Sequence, residues 1–205
     1  MLNLSELSQQ DAVLIQSGLK ALGLYEGTTR GIPGPKTEAA YKKYLSPRDN
    51  SFTFAELFSS IAESQVGERE EGNNGGEAVR KYQEATWYAP GEWAWCAAFV
   101  CWCFRETIKE IPQAMERPTT PGAWAFEKWA RKAGAELIKP ASRTKVRRGD
   151  ILVYTFSHIG IAVEDELCDL VETVEGNTNK AGSREGDGVY SKTRKKSEIR
   201  SIIRM

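Results

Sequence analysis

The sequence predicts an α+β chain in which helices come first and an antiparallel sheet follows, preceded by a small all-α unit. Three observations carry this prediction. Apolar residues recur at helical spacing through the first two thirds of the chain, and from Asp150 the pattern changes to alternation. The turn formers Ser46-Pro47-Arg48-Asp49-Asn50-Ser51 make a linker, which separates a unit at 1–48 from one at 52–205. With 205 residues the chain is long enough for one ordinary domain and a small one, and 40% hydrophobic residues with six tryptophans point to a packed fold. Lys plus Arg and Asp plus Glu number 28 each, for a formal net charge of +0. No bulk positive field is available to hold nucleic acid, so none is expected as a partner.

In the first unit, Leu4, Leu7, Val13, Leu14, Leu19, Leu22 and Leu24 fall at roughly helical spacing, and Gly23 closes the segment as a C-cap glycine does. A loop punctuated by Gly34 and Pro35 leads to a second helix, Lys36 to Leu45, with Ala39, Ala40, Tyr44 and Leu45 facing inward. Phe52 to Val66 reads as an amphipathic helix with Phe54, Leu57, Phe58, Ile61 and Ala62 on one side. The acidic run Glu68, Glu70, Glu71 and the following Asn73-Asn74-Gly75-Gly76 form a loop. A short helix from Glu77 to about Glu84 then carries Val79 and Tyr82 inward.

Pro90 and Gly91 interrupt the chain before Cys96. Ala97, Ala98, Phe99, Val100, Trp102 and Phe104 then form an apolar run without alternation, the pattern of a buried helix. The helical pattern fails at Pro112, so Ile108 to Met115 reads as a surface excursion. Trp124, Phe126, Trp129 and Ala133 mark a further helix closed by Gly134. Arg143, Lys145, Arg147 and Arg148 form a solvated basic flank. After it, Ile151 to Val163 reads as a hairpin with its turn near Phe156-Ser157, Leu170 to Gly176 as a third strand, Val189-Tyr190 as a short one and Ile199 to Ile203 as the last.

The chemistry concentrates at two places. Cys96 falls in the first turn of the buried helix, where free N–H groups and the helix dipole favour a thiolate. His158 is the only histidine, so it is the one imidazole able to serve that cysteine as base and then as acid. Glu175 and Asn177, at the end of the third strand, are the candidates to orient the ring or to hold the reacting amide. The four cysteines, at 96, 101, 103 and 168, make no CxxC pair, which argues against a disulfide framework or a zinc site. Cys101, Cys103 and Cys168 read as free and mostly packed. No metal and no cofactor are expected. The N-terminal MLNLSELSQQ lacks the basic and apolar regions of a signal peptide, and no run is long enough to span a membrane.

Residues 62 to 180 resemble the CHAP family, the cysteine, histidine-dependent amidohydrolases/peptidases of the papain-like clan. The resemblance is carried by Trp95-Cys96-Ala97-Ala98-Phe99-Val100, by Gly149-Asp150 leading to His158-Ile159-Gly160-Ile161, and by Glu175-Gly176-Asn177. It implies a papain-like fold and hydrolysis of a peptidoglycan amide, either between N-acetylmuramic acid and L-alanine or within the stem peptide. Cys96, His158, Glu175 and Asn177 would be catalytic, with Trp93, Trp95, Asn74 and Tyr154 meeting the substrate.

The first unit resembles the peptidoglycan-binding domain 1 family of three-helix wall-binding modules. The matching positions are Ile15-Gln16, Leu22-Gly23, Arg30-Gly31 where that family has Asp-Gly, and Gly34-Pro35-Lys36-Thr37. Tyr25, Arg30 and Thr37 would contact the wall. Together the two resemblances imply a monomeric phage endolysin, held in the host cytoplasm until a holin releases it to the periplasm and cell wall, without stable membrane insertion. A secreted antibacterial effector, an autolysin of the same fold and a non-catalytic wall-binding protein are the alternatives.

Overall fold

Residues 4, 7–21, 23–45, 52–141, 143–183 and 185–205 are described in a computed structural model of the protein. The chain divides into two compact units, Met1–Ser51 and Phe52–Met205. The expected linker from Ser46 to Ser51 and the side chains of Leu22, Tyr44 and Leu45 lie outside the described residues.

The first unit contains α1 (Gln9–Ala21) and α2 (Pro35–Leu45). Gly23, at φ +67°, ends α1, with Leu24 N–H returning to Leu19 O at 2.9 Å. Leu19, Tyr25 and Ala40 form the small core, whereas Leu14 is 68% exposed. The connecting loop is held by the buried Gln16 side chain. Its amide donates to Ile32 O and Thr37 Oγ1 and accepts from Gly31 N–H, each at 3.0 Å. One buried amide thus fixes three points of an otherwise irregular loop. The third helix implied by the resemblance is not among the described residues.

In the second unit, helices precede a six-stranded antiparallel sheet, as expected for an α+β chain. The helices are α3 (Phe54–Glu63), α4 (Glu77–Gln83), α5 (Cys96–Glu110) and α6 (Phe126–Ala133). The strands are β1 (Glu136–Ile138), β2 (Ile151–Tyr154), β3 (Ile159–Ala162), β4 (Leu170–Thr178), β5 (Gly188–Lys195) and β6 (Ile199–Arg204). Their order across the sheet is β1-β6-β2-β3-β4-β5, with every neighbouring pair antiparallel. A capping box starts α3: Thr53 Oγ1 accepts from Glu56 N–H at 3.2 Å, and Glu56 Oε2 accepts from Thr53 N–H at 2.8 Å. Gly134, at φ +79°, ends α6. Contrary to the expected surface excursion, α5 continues to Glu110. Ile108 packs against the core there, and Pro112 breaks the helix only two residues beyond its end.

The apolar run of α5 is buried because the helix lies between the sheet and its neighbours, against β3 and β4 on one side and α3 and α4 on the other. Ile151, Val153, Ile159, Ile161 and Val174 face these helices, while Leu152, Tyr154, Ala162, Val171 and Ile202 build a second cluster. Alternation along each strand sends side chains to both clusters. Asp150 locks the end of β6 to the start of β2 through Arg204, with Nε to Oδ1 at 2.8 Å and Nη2 to Oδ2 at 2.6 Å. Among the described residues no helix is long and apolar enough to cross a membrane.

Candidate active site

Cys96 is the first residue of α5 and is 6% exposed. Three contacts fix the backbone that leads to it. Trp95 is buried and stacked on Tyr82, with ring centroids 5.5 Å apart, and its Nε1–H donates to Glu70 Oε2 at 3.0 Å. Trp95 N–H donates to Asn177 Oδ1 at 3.0 Å, which ties the helix start to the end of β4. Gly176 lets the two elements come this close, because a Cβ there would lie 2.7 Å from Phe99 Cβ and Trp95 Cζ3. Asn177, at φ +55°, lies where the β4–β5 register shifts, and its Nδ2 donates to Asn74 Oδ1 and Gly186 O.

His158 follows the β2–β3 turn, in which Ser157 adopts φ +56°, and its ring is fully buried beside the Tyr154 ring. Imidazole Nε2 is 3.1 Å from Glu175 Oε2. An ionised carboxylate only accepts, so Nε2 carries a proton and Nδ1 is the nitrogen left for Cys96. Nδ1 is buried and makes no hydrogen bond among the described residues. Burial pushes the imidazole pKa down, but the nearby Cys96 and then Glu175 outweigh it and raise it from 6.5 to about 9. The site therefore favours a protonated imidazole beside a sulfur.

Glu175 has no solvent exposure, yet five donors surround it. Oε1 accepts from Tyr154 OH at 2.8 Å, Thr173 Oγ1 at 2.9 Å and Arg194 Nε at 2.8 Å, while Oε2 faces His158 and Arg194 Nη2, the latter at 2.5 Å. Burial raises the carboxyl pKa, but the Arg194 hydrogen bonds and His158 overcome this and lower it from 4.5 to about 2. Gly160 provides the space, since a Cβ there would lie 2.7 Å from Glu175 Cγ and 3.1 Å from Tyr154 Oη.

Glu175 contacts the His158 ring directly and Cys96 lies near enough to raise its pKa, whereas the bonds of Asn177 run to Trp95, Asn74 and Gly186 and not to the ring. Of the expected substrate contacts, Trp95 and Tyr154 are buried, with their polar atoms engaged by Glu70 and Glu175. Trp93 is half-buried, its Nε1–H on Ala89 O at 2.9 Å. Asn74 lines an open cleft of about 810 Å³ with Glu70, Ala94, Asn177, Lys180 and Asp187.

In the first unit Arg30 is exposed, whereas Tyr25 and Thr37 are buried. Cys101 and Cys103 are packed, and burial pushes both thiols far up. Cys168, expected to be packed, is exposed beside the tight Leu167–Leu170 bridge. No group of three or more His, Cys, Asp or Glu side chains among the described residues is arranged to hold a metal ion.

Arg194 was not legible as a site residue. It belongs to Ser191-Lys192-Thr193-Arg194-Lys195, a polar stretch just beyond the short strand expected at Val189-Tyr190. Only the β4–β5 register, which pairs Glu175 with Tyr190 and Val171 with Arg194, puts Arg194 on the face of Glu175. No family model matches the chain, and no curated protein matches it in sequence.

Proposed function

We propose that the protein hydrolyses an amide bond of bacterial peptidoglycan through the Cys96 thiolate, as a papain-like enzyme of the CHAP type. One observation carries the reading: Cys96 opens a buried helix beside an imidazole whose other nitrogen is held by a buried carboxylate. Cys96 attacks the scissile carbonyl, and the first-turn N–H groups of α5, which have no intrahelical acceptor, receive the oxyanion. The protonated His158 gives its proton to the departing amine as the thioester forms. The neutral ring then takes a proton from water, which attacks the thioester and frees Cys96. Glu175 holds the ring in the tautomer this exchange requires.

The bond is either the N-acetylmuramoyl-L-alanine amide or one within the stem peptide. The cleft beside Ala94 and Asn177 is lined by amides, carboxylates and an ammonium group, which suits a polar wall peptide better than an apolar protein segment. The first unit carries the motif positions of a wall-binding module, and this combination supports a monomeric endolysin released by a holin from the host cytoplasm.

Incubation with purified peptidoglycan tests the reading. The wild type releases soluble fragments and Cys96→Ala does not, and mass spectrometry of the new amine end separates amidase from endopeptidase. Equal release by both proteins defeats the assignment.

A further inference from the structure

We propose that Arg194 is the positioning residue of the site: it holds the Glu175 carboxylate in the orientation that presents an ionised oxygen to His158, and it ties that carboxylate to the wall of the neighbouring cleft. This rests on reading Cys96 and His158 as the reacting pair. The Arg194 fork is bidentate, Nε to Oε1 at 2.8 Å and Nη2 to Oε2 at 2.5 Å, and Arg194 is itself only 7% exposed. A planar fork fixes the plane of a carboxylate, which a lysine ammonium cannot do.

The need for a cation follows from burial. A fully buried carboxylate without a counter-charge takes up a proton. Protonated Glu175 could donate to Nε2, so the ring proton would move to Nδ1. The neutral ring left after proton transfer to the departing amine could then no longer take a proton from water at Nδ1. The ionised state of Glu175 therefore decides which ring nitrogen serves the sulfur. Tyr154 and Thr173 supply neutral hydrogen bonds to Oε1 but no charge. The groups that bear on the ring are Cys96 from α5, Tyr154 from β2, Glu175 from β4 and Arg194 from β5, with Glu198 Oε1 3.9 Å behind Arg194 Nη1. Arg194 is the permanent cation of this set, charged whether or not the ring holds its second proton.

The same guanidinium reaches outward. Arg194 Nη2 also donates to Gly182 O at 3.2 Å, inside the segment between β4 and β5. That segment contributes Lys180, Ala181, Gly186 and Asp187 to the cleft. Arg194 thus joins the carboxylate behind the imidazole to the segment that a bound substrate would touch.

His158 is the only histidine, so NMR reads its ring titration directly and without any substrate. In Arg194→Gln the imidazole midpoint is expected to fall by about one pH unit or more, a tenfold or larger change in proton affinity. kcat/KM on wall fragments falls roughly 10- to 100-fold, with its alkaline limb moved the same way. Arg194→Lys, which keeps the charge and loses the fork, gives an intermediate midpoint. Glu175→Gln/Arg194→Gln behaves like Glu175→Gln alone, and it keeps a readable protein if Arg194→Gln does not fold, because the buried charges are removed together.

An unchanged midpoint in folded Arg194→Gln, or effects that add independently in the double variant, overturns the proposal. Absence of fragment release by the wild type defeats the hydrolase reading instead, and the NMR titration still decides the coupling.

Discussion

At the scale of single residues, His158 and Glu175 keep their charges although both are buried, and this gives stability a definite pH dependence. His158 is raised from 6.5 to about 9 in the fold, so its contribution is fully present below about pH 6.5 and is lost as pH rises through about 9. Glu175 is lowered from 4.5 to about 2, so its contribution is fully present above about pH 4.5 and is lost as pH falls through about 2. The two windows overlap between about pH 4.5 and 6.5. Chemical denaturation should therefore give a level unfolding free energy across that interval and a decline toward pH 9.5. His158→Gln should lack the part of the decline that belongs to the imidazole, and identical alkaline slopes for the two proteins would contradict the assignment. Cys96 and His158 could be singled out from sequence because a helix opening and a unique imidazole are visible there. Arg194 was not, because a buried arginine and a solvated one look alike until strand register is known.

At the scale of elements, the site depends on the contact between α5 and β4. Trp95, Phe99 and Gly176 meet there, and the same contact lets Asn177 cap the backbone before Cys96. Gly176→Ala forces a methyl to within 2.7 Å of Phe99 Cβ, so strand and helix must separate. The expected cost is about 1–3 kcal/mol of stability. Activity should fall further than Asn177→Ala lowers it, because both the cap and the spacing are disturbed. A Gly176→Ala protein with wild-type melting temperature and wild-type fragment release would show that the contact is dispensable. The change of period at Asp150 made the sheet legible, and the apolar run made α5 legible. β1 escaped because three residues are too short to display a period, and β5 was legible only at Val189-Tyr190, because the rest of this polar edge strand, paired on one side by β4, resembles a loop.

At the scale of the whole molecule, the chain separates into two compact units, each with its own core cluster. Motif positions in the first unit were legible, and two of them have a structural role. Gln16 and Thr37 are buried in the hydrogen bonds that hold the Gly31 loop, so Arg30 is the member of the expected wall-binding set that remains exposed. Sequence motifs mark what a loop needs in order to hold its shape as readily as what it binds. If the first unit targets the wall, its benefit appears only on an extended substrate, where tethering raises the local concentration of scissile bonds. A protein limited to residues 52–205 should therefore hydrolyse soluble wall fragments at a rate close to that of the full chain. On insoluble wall it should lose roughly tenfold or more, an effect of effective concentration and not of chemistry. Arg30→Ala in the full chain should reproduce part of that loss with no change on soluble fragments. Equal rates for the full chain and residues 52–205 on both substrates would remove the targeting role from the first unit, while leaving the chemistry proposed at Cys96 untouched.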